Sequence, residues 1–503
     1  MPISLSKNLP KQVYRAEQVR ALDRAAIATF NTPGIQLMEH AGAAVFAALR
    51  RRWPRARRIT VFCGAGNNGG DGFIIARLAH EQGVDATVYL LAESSRLKGD
   101  ARLAFEKLQA TPVPIHSFDG TLAAPGDVIV DALLGTGLSG DVKDQWRAAI
   151  EAINHAKATA ACPVVAVDIP SGLHADTGSV LGAAVQADVT VTFIGVKQGL
   201  LTGQGPDYCG ELLFDDLGID AKVYAQLEAS AYRITQEDVS RLLPPRKRCA
   251  HKGNFGHVLI IGGNHGMPGA ARMAAEAALR SGAGLVSVAT RAEHVAAVVS
   301  ARPEIMCHGV ESAAQLRPLL SSASCIAIGP GLGQDPWAQA LLGMVLETAK
   351  PLILDADALN LLAHEPLVRS NWVLTPHPGE AGRLLQTPAS HIQQDRFAAV
   401  RALQSRYGGI AVLKGCGTLV CDGQGDITLC GAGNPGMAAG GMGDVLTGIV
   451  AGCMAQTNQL SASAIAAVYI HAAAADLAAT EHGERGLLAT DLFPYVRQLV
   501  NPQ

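Results

Sequence analysis

Short runs of apolar, often β-branched residues recur along the chain, separated by longer stretches in which apolar residues return every three or four positions. The first pattern predicts buried strands and the second amphipathic helices. In the first half, the runs predict strands over 59–63, 86–91, 127–132, 163–168 and 188–194. Helices are predicted between them, over 72–82, 98–109 and 142–157. Such alternation makes a mostly parallel sheet covered on both faces, a doubly wound Rossmann-like α/β domain. Past residue 220 the pattern weakens through "AKVYAQLEASAYRITQEDVSRLLPPRKR". A boundary is predicted there, with one domain over 1–225 and another over 226–503. The second half opens a new α/β series: "HVLIIGG", "LVSVAT", "CIAIGPG", "PLILDAD", "WVLTPHP", "IAVLKG", "GTLVCD" and "DITLCG".

Composition narrows the class. A chain of 503 residues exceeds what one core usually serves, and 49% apolar with 17% charged residues suits two large cores. A net charge of −3 gives nucleic acid or an acidic membrane surface little electrostatic hold. The one basic cluster, "PPRKRCAHK" at 244–252, reads as a solvated face. No signal-peptide pattern opens the sequence, and no apolar stretch is expected to cross a bilayer, because 462–479 carries His471 and Asp476. Ten cysteines without CxxC or Cys/His metal spacing fit a reduced, cytoplasmic setting.

Three predicted strand ends in the first domain carry unusual loops: "GAGNNGGDG" (64–72), "DALLGTGLSG" (131–140) and "DIPSG" (168–172). In parallel sheets ligands bind beyond the carboxyl ends of the strands, so all three loops fall on one edge. Gly64, Gly66 and Gly69 match GxGxxG, which alone is a weak dinucleotide fingerprint. Asp71 opposes an ordinary pyrophosphate cradle, since a carboxylate near the helix opening competes with a phosphate there; it could instead be an N-cap. Asn68, Asp131 and Ser171 each offer an oxygen, a set suited to a hard cation.

These loops, with "GAGNNGGDGFIIARLA" and "DIPSGLHADTG" quoted in full, resemble the NAD(P)H-hydrate epimerase domain over roughly residues 13–220. The resemblance implies a substrate site lined by Asn67, Asn68, Gly69, Gly70 and Asp71, by Gly135, Thr136, Gly137, Leu138, Ser139, Gly140 and Asp141, and by Asp168. It implies potassium on Asn68, Asp131 and Ser171. Epimerisation at one ring carbon needs a positioned acid/base group, and Asp168 at a strand end suits that role better than a turn-capping Asp. Lys197 in "FIGVKQGLL" is a second acid/base position, although the family usually has Pro where Val196 stands.

In the second domain "GAGNPGMAAGGMGDVLTGIVAGCMA" (431–455) places Gly440, Gly441 and Gly443 at the opening of an apolar helix with Asp444 in its first turn. Backbone N–H groups there form an anion hole, and the carboxylate can deprotonate an acceptor hydroxyl or merely cap the helix. With "GPGLG", "LDADALN", "TPHPGE" and "VLKGCGT" in order, this run resembles the ADP-dependent NAD(P)H-hydrate dehydratase domain over roughly 235–498. The resemblance implies a ribokinase-like α/β fold. It also implies nucleotide binding by Lys414, Gly415, Cys416, Gly417, Thr418 and Gly443, and hydrate contacts from Ala271, Gly333, His377 and Asp444. Asp355 and Asp357 read as helix-capping groups without an assigned role.

The expected function is therefore a bifunctional one. The first domain interconverts the R and S hydrates of NADH and NADPH, and the second dehydrates the S form with ADP, releasing AMP and phosphate. Magnesium is expected with the transferring phosphates, and a homo-oligomer of tetrameric size follows from the resemblance. A small-molecule kinase that leaves a stable phosphorylated product, and a nucleotide-binding scaffold without turnover, are the competing classes.

Overall fold

The computed structural model describes residues 9–30, 32–122 and 124–501, so 1–8 and 502–503 of the predicted domain ranges lie outside it. Two compact units meet in sequence at Tyr232 and Arg233. The division falls beyond the predicted 225/226 break for a physical reason. Val223 is fully buried in the first unit's core, and the Tyr224 hydroxyl donates to the Ile194 carbonyl at 2.7 Å. Ala231 then pairs with Val13 in a short antiparallel ladder.

The first unit holds a seven-stranded, all-parallel sheet. Its spatial order is Ile115–Ser117, Asp85–Leu90, Arg58–Cys63, Val128–Ala132, Val164–Val167, Val189–Phe193 and Glu211–Asp215. Strand residues alternate between two cores: Val61, Val130 and Val165 enter one, Phe62, Ile129 and Val164 the other. That period of two is what a sheet covered on both faces requires. The order reverses between Arg58–Cys63 and Val128–Ala132, which opens a crevice at their carboxyl ends. The helix Asn67–Glu81 begins earlier than the predicted 72–82, because Gly66 to Gly70 wind directly into its first turn.

The second unit's sheet runs Met306–Gly309, Leu285–Thr290, His257–Ile261, Cys325–Ile328, Leu352–Leu354, Trp372–Leu374 and Ile410–Leu413, all parallel. Thr418–Cys421 and Ile427–Cys430 extend it antiparallel. Helix Met442–Thr457 packs on Pro268–Arg280 and Leu460–His482. Contact with Pro268–Arg280 is close: a Cβ at Gly448 would lie 2.1 Å from the Ala274 carbonyl oxygen. Leu460–His482 is long and apolar enough to cross a membrane, contrary to the sequence expectation. Yet 67% of its most apolar window is buried, against Met442–Thr457 and Gln236–Leu242, which makes it a core helix of this unit.

Candidate active sites

In the first unit the opening glycine loop is tight because Gly69 folds back over Gly64: a Cβ at Gly69 would stand 2.0 Å from the Gly64 carbonyl oxygen. Asn67 is exposed, whereas Asn68 to Asp71 are buried. Asp71 is the fifth residue of its helix, so the N-cap alternative is set aside; Gly66 occupies that position. Burial, and then Asp168 and Asp23, push the Asp71 carboxyl well above its usual range, against the opposing pull of Lys197. Burial and two neighbouring carboxylates thus favour its protonated form over the ionised one.

Asp168 follows strand Val164–Val167 and holds a left-handed φ of 65°, a strained conformation of the kind found where a side chain must be aimed. Its Oδ1 accepts from Phe193 N at 3.1 Å, from Thr192 Oγ1 at 3.2 Å and from Lys197 Nζ in a short ion pair. Lys197 is fully buried and also donates to Thr192 Oγ1 and the Phe193 carbonyl, both at 3.1 Å. The ammonium therefore has one fixed direction. Asp23, on helix Ala16–Phe30, joins this cluster electrostatically and has its own carboxyl raised, first by burial. No sequence motif announced it.

Asn68, Asp131 and Ser171 do converge. Ser171 Oγ donates to Asp131 Oδ1 at 2.6 Å and reaches the Leu134 carbonyl at 3.2 Å, to which Asn68 Nδ2 also donates at 3.3 Å. Burial lifts Asp131 to about 6, offset by hydrogen bonds from Ser171 and Leu133. A buried carboxylate, a hydroxyl, an amide and a backbone carbonyl thus lie together, a group of oxygens chemically suited to a hard cation. Loop 135–141 runs beside them, half-buried to exposed, with Gly135 against Asn68 and the Thr136 carbonyl accepting from Arg20 at 3.1 Å.

The second unit's residues gather at the carboxyl ends of its parallel strands. Gly333 has a φ of 73° and donates its N–H to Asp357 Oδ2 at 2.8 Å. His377 caps helix Pro378–Leu385: its Nδ1 accepts from Gly379 N at 3.0 Å, and Nε2 lies 3.5 Å from Glu380 Oε1. Burial lowers the pKa of this imidazole. Ala271 differs from the others, being fully buried within Pro268–Arg280 and presenting no surface.

Lys414 Nζ donates to Asp355 Oδ1 at 2.7 Å and lies 3.8 Å from Glu380 Oε2. Burial pulls its pKa down, but Asp355 and Glu380 leave it raised overall, so it stays an ammonium. After it, residues 415–418 turn around the buried Arg396, which the sequence did not single out. That guanidinium donates to the carbonyls of Leu413 and Lys414 at 3.2 Å. Gly415 takes a φ of 130°, and a Cβ there would sit 3.1 Å from Arg396 Nη1. Carbonyls turned onto an arginine keep their negative ends away from an incoming phosphate. Cys416 is exposed, and Thr418 Oγ1 donates to the Gly415 carbonyl at 3.0 Å.

Asp444 is the third residue of helix Met442–Thr457, with Gly441 at the N-cap, so it does not cap the helix. Burial, then Asp355 and Asp357, raise its carboxyl to about 7 against the pull of Lys414. A base poised near neutrality beside an ammonium and a helix N-terminus can take a hydroxyl proton while a phosphoryl group arrives. Asp355 stands at the N-cap position of its helix but makes no capping bond; its side chain turns inward instead. Among the described residues no cluster of three His, Cys, Asp or Glu side chains could hold a metal.

Comparison with known proteins identifies the family. A family model described as YjeF-related protein N-terminus matches residues 34–199, and one described as NAD(P)H-hydrate dehydratase matches 258–498. The chain is 53% identical over 490 residues to the bifunctional NAD(P)H-hydrate repair enzyme Nnr of Coxiella burnetii, covering 97% of this chain and 99% of that one. A ribokinase-like superfamily protein from Enterococcus faecalis is 33% identical, covering 53% of this chain and 94% of its own, with a TM-score of 0.50. An ADP/ATP-dependent NAD(P)H-hydrate dehydratase from Bacillus subtilis, co-crystallised with ATP and Mg2+, is 32% identical over 53% of this chain and 96% of its own, with a TM-score of 0.47. Two family models in order, and a relative matched nearly end to end, show that this chain belongs to the bifunctional NAD(P)H-hydrate repair enzymes, which join an epimerase to a dehydratase.

Proposed function

We propose that the two activities divide between the units, with epimerisation in the unit that ends at Tyr232 and ADP-dependent dehydration in the unit that begins at Arg233. The observation that carries the second assignment is Asp444, a carboxyl near neutrality in the first turn of a helix beside Lys414. Asp444 takes the proton of the ring hydroxyl as that oxygen attacks the terminal phosphorus of ADP, and the bond to AMP breaks. Lys414, the N–H groups of 415–418 and Gly443 bind the charge on the transferring group. Phosphate then leaves the ring carbon, pushed by the ring nitrogen lone pair. Loss of a proton from the adjacent carbon restores the dihydronicotinamide. Gly333 and His377 orient the ring, and Ala271 supports that wall from behind. Magnesium neutralises phosphate charge when it accompanies the nucleotide.

In the first unit the hydroxyl departs with a proton and water returns to either face of the ring. Asp168 moves that proton, with Lys197 holding its carboxylate in place. Residues 67–71 and 135–141 line the hydrate. Asn68, Asp131, Ser171 and the Leu134 carbonyl would hold potassium, which would supply positive charge beside the hydrate without adding a group that titrates. Cysteines without CxxC or Cys/His metal spacing support a cytoplasmic setting. The test is a mixed-epimer substrate with ADP. Full return of reduced-nicotinamide absorbance with one free phosphate per hydrate supports the proposal, whereas a stable phosphorylated hydrate would make the second unit a kinase.

A further inference from the structure

One carboxylate in the second unit has more structural partners than the mechanism has yet used. Asp355 follows strand Leu352–Leu354 and is 1% exposed. Its Oδ1 accepts from Lys414 Nζ at 2.7 Å and from Thr375 Oγ1 at 2.8 Å; its Oδ2 accepts from Thr447 Oγ1 at 2.9 Å. Thr375 follows strand Trp372–Leu374, Lys414 follows Ile410–Leu413, and Thr447 lies on helix Met442–Thr457. A single side chain thus ties three successive strand ends to the helix that carries Gly443 and Asp444. A Cβ at Gly443 would stand 3.3 Å from Lys414 Nζ and 3.5 Å from Asp355 Oδ2, so the knot lies directly under the anion hole.

We infer that Asp355 is the positioning residue of the dehydratase site: it sets Lys414 and the Gly443–Asp444 turn in the relation that phosphoryl transfer requires. Both oxygens are engaged and the group is enclosed, so it acts through Lys414 and Asp444 and does not touch substrate. The inference rests on the proposed catalytic role of Asp444. A cap would bond its own helix; this carboxylate instead bonds side chains 20, 59 and 92 residues away. Its charge also reaches Asp444, which is faced by Asp355, Asp357 and Lys414, while Lys414 is faced in turn by Glu380, His377 and His471. Removing the Asp355 charge takes away a group that raises Asp444, and it frees the ammonium that lowers Asp444. Both changes weaken the base in the same direction.

The test is Asp355→Asn in the full-length chain, which keeps the volume and one accepting oxygen, turns the other into an NH2 that can only donate, and removes the charge partner of Lys414. Expected are a kcat for dehydration about 10²-fold lower, a KM for the hydrate close to wild type, and an acid limb of the kcat–pH profile moved to lower pH. Epimerisation in the same sample reports that the chain is folded. Wild-type kcat with an unmoved acid limb overturns the inference, as does a loss confined to KM. Should Asp355→Asn not fold, Thr447→Val cuts only the tie to the helix and is expected to lower kcat with KM unchanged; wild-type kcat there also overturns it. Asp444→Asn run alongside separates the two ideas: if that variant stays active, the Asp444 reading fails, whereas an inactive Asp444→Asn beside a fully active Asp355→Asn refutes the positioning role alone.

Discussion

The two units solve the same topological problem and then diverge in charge. Each is built on a run of seven parallel strands whose order reverses once, and each gathers its candidate residues at the carboxyl ends of those strands. At the first site, carboxyls outnumber cations: Asp71, Asp23 and Asp168 surround the single ammonium of Lys197. At the second, a helix N-terminus, Lys414 and the loop wrapped on Arg396 make a place for anions, with Asp444 in the helix's first turn as the proposed base. The contrast follows the chemistry. Losing and regaining water needs proton carriers around a ring, whereas activating a hydroxyl as phosphate needs a receptor for phosphate. Similar sheets therefore support unlike reactions through the side chains at their edges.

The largest effect that would break this contrast is at Asp444. Asp444→Asn should lower dehydration about 10²–10⁴-fold, the usual contribution of a general base, and leave epimerisation unchanged. Coupled assays of phosphate release and epimer ratio check both halves. Asp168→Asn should do the reverse, slowing interconversion about 10²-fold with dehydration of the S hydrate intact; chromatographic separation of the epimers over time measures it. A loss of both activities in either folded variant would mean that the sites are not independent.

Smaller effects sharpen the comparison. Asp444 is raised to about 7 and works only when ionised, so dehydration should gain about tenfold per pH unit below that value and level off above it. An initial-rate profile of kcat for dehydration tests the sign: a rate that rises on acidification would exclude a base at this position. Replacing potassium by lithium should slow epimerisation severalfold and leave dehydration unchanged, because only the first unit offers the Asn68, Asp131 and Ser171 oxygens. Equal epimerisation in the two salts would remove the cation from that site.

Much of this arrangement was legible because its parts are local. A buried strand followed at once by a loop of small residues marks a ligand edge, and the strands ending at Cys63, Ala132 and Val167 carried their site residues within a few positions. Asp444 declared itself the same way. The residues that orient these groups did not, because their partners are remote in sequence. Arg396 lies on a helix and reads as an ordinary surface arginine until the 413–417 loop closes around it. Asp23 reads as the polar face of an amphipathic helix until its neighbours are seen. Asp355 and Asp71 were open to interpretation as caps because helix-start statistics are local, and the long-range bonds of Asp355 and burial of Asp71 override them. Ala271 is fully buried, and a motif position alone does not say which side of the helix wall it occupies.

The most direct measurement mixes the two single variants. With R hydrate as substrate and ADP present, Asp168→Asn should convert only what epimerises without catalysis, and Asp444→Asn should make the S hydrate but no reduced nicotinamide. Combined in equal amounts, the two should together return the R hydrate to reduced nicotinamide at close to the wild-type rate, because each supplies the step the other lacks. A mixture no faster than Asp168→Asn alone, from proteins shown to be folded, would contradict two independent sites.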